Sequence, residues 1–106
     1  MPKPRLRWRK EPNERGLAST GQAPRGAELW YGNERIATVT AGRHGSGFGP
    51  PDTWSWSARS DHNGVPWRNS AAEGRYWPLT DEGLEAAKAD CRAYVERCLG
   101  RAIPSN

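Results

Sequence analysis

Between residues 53 and 59 the chain alternates strictly, with Trp54, Trp56 and Ala58 on one side and Ser55, Ser57 and Arg59 on the other. A period of two belongs to an extended strand with one buried face. The segment therefore predicts a half-buried strand whose aromatic side joins the core. Upstream, residues 27–31 and the β-branched stretch 35–41 read as two further strands joined by a Gly32-Asn33 turn. Residues 42–52, GRHGSGFGPPD, are loop by their glycine and proline content. Asp61-His62-Asn63-Gly64 predicts another turn, in which Asn63-Gly64 supplies the positive φ of a type I′ hairpin. Val65-Pro66-Trp67 adds a short edge strand at most, because proline has no N–H to give to a central ladder.

The period then lengthens. Leu84, Ala87, Cys91, Tyr94 or Val95, and Cys98 recur at helical spacing and predict one amphipathic helix over 81–99. Thr80 is placed to cap its first turn, and Asp81 and Glu82 put negative charge at the positive end of the helix dipole. Leu79 and Leu84 have the spacing of a hydrophobic staple. Arg97 suits the opposite end, and Gly100 marks the stop. The expected fold is α+β: a three- or four-stranded antiparallel sheet with one C-terminal helix on one face, in the order β-β-β-α.

Composition changes how such a core must be built. Leu, Ile, Val and Phe contribute only twelve of 106 residues, while there are six Trp and three Tyr. A fraction of aliphatics below roughly 20% points to disorder when net charge is high. The net charge here is only +4, and each buried aromatic ring covers ~150–250 Å². A small domain with a thin aromatic core is therefore expected. Cys91 and Cys98 stand roughly 10.5 Å apart along a helix axis. That is beyond the ~7 Å limit of a disulfide, so reduced core thiols are expected, as in a cytosolic protein. No apolar run approaches membrane-spanning length and the N-terminus has no signal-peptide core, so a cytoplasmic location is expected.

Charge divides the chain. Residues 1–26 hold seven basic and two acidic groups, whereas 27–106 hold nine basic and ten acidic groups. With its proline and glycine and few apolar side chains, 1–26 predicts a disordered basic arm, and 27–106 a single domain. Lys3, Arg5, Arg7, Trp8, Arg9, Lys10 and Arg15 are the arm's candidate contacts for nucleic acid or a partner. Trp8, flanked by Arg7, Arg9 and Lys10, has no core to join in such an arm and can stack on a base or anchor an interface. Arg43 and Phe48 join the set because long loops of this kind are often functional.

Chemistry-bearing motifs are scarce. The glycine-rich stretch 42–49 lacks the Gly-Lys-Ser/Thr of a phosphate loop and leads into Pro50-Pro51 instead of a helix. Ser60-Asp61-His62 contains triad residue types, but consecutive turn residues point apart and do not converge on a reacting atom. No Cys/His cluster has zinc spacing, and no carboxylate pair suggests acid/base work. No catalytic residue, cofactor, metal or small-molecule substrate is expected.

The pattern Trp30-Tyr31-Gly32-x-x-Arg35-Ile36-Ala37-x-Val39, then Trp54-Ser55-Trp56, then Leu79-Thr80-x-Glu82 leading to Tyr94-Val95, resembles small uncharacterised proteins of phages and prophages. The resemblance spans residues 28–100 and implies a βββα fold and a mobile-element origin. A weaker likeness is to the DNA-binding domains of phage integrases and of the AP2 type, which read the major groove with a basic sheet face. Here Arg35 and Arg59 are what that face offers. The expected function is non-enzymatic binding of nucleic acid or a nucleoprotein through the basic arm. The alternative is a protein-interaction module that modulates a host or defence complex.

Overall fold

The computed structural model describes residues 5–10, 25–43 and 51–102, and two-residue alternation governs the strands among them. Among the described residues six strands form one antiparallel sheet: β1 (Leu6–Lys10), β2 (Ala27–Tyr31), β3 (Glu34–Gly42), β4 (Thr53–Ser60), β5 (Val65–Asn69) and β6 (Trp77–Pro78). One helix, α1 (Asp81–Ala102), follows and packs across one face. The α+β class and the strands-then-helix order are those expected from the sequence, although the sheet has more strands.

The spatial order is β1-β2-β3-β4-β5, and the two-residue β6 pairs with the first half of β4. β5 takes the second half of that same edge. Register explains the core. Ala37, Val39 and Ala41 of β3 stand opposite Ala58, Trp56 and Trp54 of β4. Ala27 and Leu29 of β2 align with Val39 and Ala37. Pleating sends all of these toward α1. A register shift beside Leu29 and Trp30 leaves Ile36 as an extra residue, so Ile36 and Ala37 are buried in succession.

The helix closes this face with Ala87, Cys91, Val95, Cys98 and Leu99, and Leu84 and Tyr94 pack at the border. Both cysteines are free and buried. At the N-terminus Thr80 Oγ1 accepts from Gly83 N at 3.0 Å, the expected cap. Gly83 is buried against β6, where a Cβ would lie 1.8 Å from the Pro78 carbonyl oxygen. Two tryptophans then tie sheet to helix through their indole N–H groups. Trp54 Nε1 donates to the Thr80 carbonyl at 3.1 Å, and Trp56 Nε1 donates to Asp90 Oδ2 at 2.9 Å. Among the described residues no helix is long and apolar enough to cross a membrane.

Three expectations need correction. Residues 5–10 are not part of a disordered arm, since β1 pairs with β2 along its whole length, from Leu6 opposite Tyr31 to Lys10 opposite Ala27. Leu6 and Trp8 alternate with Arg7 and Arg9, and the arginines obscured that period. The Asp61–Asn63 turn is one turn of 3-10 helix, capped by Ser60 Oγ, and only Gly64 has positive φ, at 73°. Asn63 thus avoids the left-handed conformation a type I′ turn would impose. The segment after β5 holds a second 3-10 turn, Ala71–Glu73, before β6. The helix runs past Gly100 to Ala102.

Candidate nucleic-acid interface

The face of the sheet turned away from α1 carries the opposite phase of every strand. β1 contributes Arg7 and Arg9, and β2 contributes Glu28 and Trp30. β3 adds Arg35, Thr38 and Thr40, β4 adds Ser55, Ser57 and Arg59, and β5 adds Trp67. Among the described residues no element packs on this face. Its character follows directly from pleating: the residues that keep a strand half-buried leave their polar neighbours on the other side.

Its basic groups are held in place. Arg7 stands opposite Trp30 and Arg9 opposite Glu28. The Arg9 guanidinium lies over the Trp30 ring, 4.5 Å from its centroid. Trp30 Nε1 donates to Glu28 Oε1 at 3.2 Å, and Arg35 Nη1 donates to Glu28 Oε2 at 3.0 Å. Buried Glu28 thus fixes both the indole on which Arg9 rests and the guanidinium on the next strand. Among the described residues neither Arg7 nor Arg9 meets a carboxylate within ion-pair distance, and both are exposed.

Farther across the face, Thr38 Oγ1 and Ser57 Oγ lie 3.3 Å apart. They sit in a shallow depression of about 180 Å³ lined also by Arg35, Ile36, Ala37, Ala58, Arg59 and Trp67. Ile36 and Arg59, which stand at the two register shifts, both line it. Arg59 makes a bidentate pair with Asp61, at 3.2 and 3.0 Å. That hydrogen bond, with the accompanying charge, holds the Asp61 carboxyl below its ordinary value. Both side chains are open to solvent, so the pair is weak and exchangeable. Trp67 is 60% exposed, the one large hydrophobic group so exposed among the described residues.

A second set of arginines, on the helix side, is internally committed. Arg68 makes two bonds to Glu73, at 2.6 and 3.0 Å, and lies 4.9 Å from the Tyr94 ring centroid. Arg75 pairs with Asp90 at 2.9 Å and covers Trp56 and Trp77. These cations seal the edge of the aromatic core. Each has a carboxylate partner, as Arg35 and Arg59 also do on the open face.

The expected contact residues divide accordingly. Arg7 and Arg9 come together on the open face, and Arg5 is exposed just before β1. Lys10 is exposed at the end of β1, on the helix-side phase. Trp8 is not a free contact residue: it points to the helix side, packs against the core, and has Lys88 Nζ 5.3 Å from its ring centroid. Once β1 is a strand, Trp8 shares the buried phase with Leu6. Arg43 is exposed at the end of β3, away from the depression. Lys3, Arg15 and Phe48 lie outside the described residues. The open face also carries Trp30 and Trp67, together with Arg35 and Arg59, the two arginines expected on a sheet face. Trp30 and Arg59 sit out of step with the buried apolar positions of their strands, but Trp67 shares the parity of buried Val65 and Arg35 that of buried Ala37, so simple alternation did not mark those two.

Among the described residues no group of three or more His, Cys, Asp or Glu side chains is arranged to hold a metal ion. No protein-family model, curated protein or solved structure matches the chain.

Proposed function

We propose that the chain is a nucleic-acid-binding protein that meets the phosphate backbone with the open face of its sheet. The observation that carries this reading is the Arg9–Trp30 stack beside Arg7, with Arg35 and Arg59 continuing the row across the face. Guanidinium groups match phosphate oxygens bidentately and remain charged at any physiological pH. Arg5, just before β1, and Lys10, at its end, add positive charge beside the same strand edge. Neutralising phosphates releases counterions, so affinity should fall steeply with salt and depend little on sequence.

The test is a salt titration of binding to labelled oligonucleotides. Replacing both Arg7 and Arg9 by Ala should weaken binding and make the log–log salt slope shallower by about 1.4 to 1.8, the share of two phosphate contacts. Unchanged affinity and slope in that variant would overturn the reading. A protein-interaction role is the second reading, favoured by the exposed Trp67 on β5. A partner retained from nuclease-treated lysate, with no oligonucleotide binding by the purified chain, would select it.

A further inference from the structure

Resting on the nucleic-acid reading above, we infer that the strand recognised is single-stranded, with one unpaired base stacked on the Trp67 indole above the Arg35–Thr38–Ser57–Arg59 depression. Three observations lead there.

The first is width. Five strands lie side by side from β1 to β5, which at ~4.8 Å per spacing makes the face roughly 19 Å across. The major groove of duplex DNA is about 12 Å wide and admits a helix or a two-stranded ribbon. The centre of this face, where the hydroxyls lie, cannot be carried down to base edges there. A single strand has no such wall and can lie across the sheet.

The second is the kind of surface Trp67 offers. In a duplex the faces of the bases are stacked on one another and hidden, so an exposed indole finds little to stack on. An unpaired base presents a free π-face, and indole–base stacking tolerates any sequence. Trp67 is 60% exposed, whereas Trp30 on the same face already carries the Arg9 guanidinium. Trp67 is thus the stacking platform and Trp30 the support for a phosphate contact.

The third is what surrounds the indole. Thr38 and Ser57 hydroxyls line the floor and can donate to or accept from a base edge or sugar. Arg35 and Arg59 flank them, and the solvent-exposed Arg59–Asp61 pair can yield its guanidinium to a phosphate at little cost. From Trp67 on β5 to the Arg9–Trp30 stack over β2 is three strand spacings, roughly 14 Å. A strand running across the sheet can therefore reach both.

Fluorescence anisotropy with a labelled twelve-residue oligo(dT) and a twelve-base-pair duplex, at one salt concentration, tests this. The wild-type chain should bind the single strand more tightly. Trp67→Ala should weaken single-strand binding about 5- to 150-fold, the range for loss of one stacked base. Trp67→Phe should restore most of it. Both variants should keep the parent melting temperature, because the side chain is outside the core, and the duplex affinity should not move. Equal or tighter duplex binding, or a single-strand affinity indifferent to Trp67→Ala, would overturn the inference while leaving backbone binding intact. Failure of the wild-type chain to bind either oligonucleotide would overturn the nucleic-acid reading itself.

Discussion

Trp56 Nε1 donates to Asp90 Oδ2 at 2.9 Å, joining the centre of the sheet to the middle of the helix across 34 positions of sequence. The Trp56 ring also stacks on Tyr94, with centroids 5.6 Å apart, and Arg75 spans Trp56 and Asp90. One side chain thus supplies apolar area, an aromatic contact and a polar tether in a chain poor in aliphatics. Trp56→Ala should cost ~3–5 kcal/mol, the usual price of truncating a buried large aromatic. Urea denaturation measures it, and a melt like the parent's would show that the sheet's faces are reversed.

Gly83 separates local preference from tertiary fit. In an isolated helix Gly→Ala is favourable by ~1 kcal/mol. Here the added methyl would lie 1.8 Å from the Pro78 carbonyl oxygen, so the helix N-terminus would have to lift from β6. Gly83→Ala should therefore lower the melting temperature. A rise would mean that β6 and the first helical turn are not in contact.

Strand β1 makes a prediction opposite to that of a free arm. Because Leu6 and Trp8 pack against the core, Trp8→Ala should destabilise the domain by about 1 kcal/mol or more, given partial burial of a large ring. Thermal melting of this variant beside Arg7→Ala, whose side chain is exposed, separates the phases. Equal melting temperatures would place β1 off the sheet.

The Cys91 thiol is pushed from an ordinary 9.0 up to about 12, first by burial and then by neighbouring Asp90. The native state thus holds the proton that the unfolded chain releases. This contribution to stability is complete below pH 9 and falls as pH rises from 9 toward 12. Over that window the parent should lose up to about 1.4 kcal/mol per pH unit more than a Cys91→Ala variant does. Native Cys91 should also label slowly with a thiol reagent at neutral pH. Fast labelling, or identical alkaline profiles, would place Cys91 outside the packed stripe.

Local patterning alone determined the sheet–helix class, the buried side of β4, the Thr80 cap and the cysteine-bearing stripe of α1. Each depends on neighbours two to four residues apart, and strand and helix periods are visible at that range. Strand β1 was legible in principle, since Leu6 and Trp8 alternate with Arg7 and Arg9, but five residues of basic composition outweigh a two-member apolar phase. Whether so short a segment is a strand depends on a partner, and β2 supplied one seventeen or more positions away. Tertiary structure also decided the candidate site. Arg7, Trp30, Arg35, Arg59 and Trp67 come from five strands, and no spacing in the chain places them together. They share one face because lateral hydrogen bonding fixes the register of one strand against the next, and register couples positions that are distant in sequence.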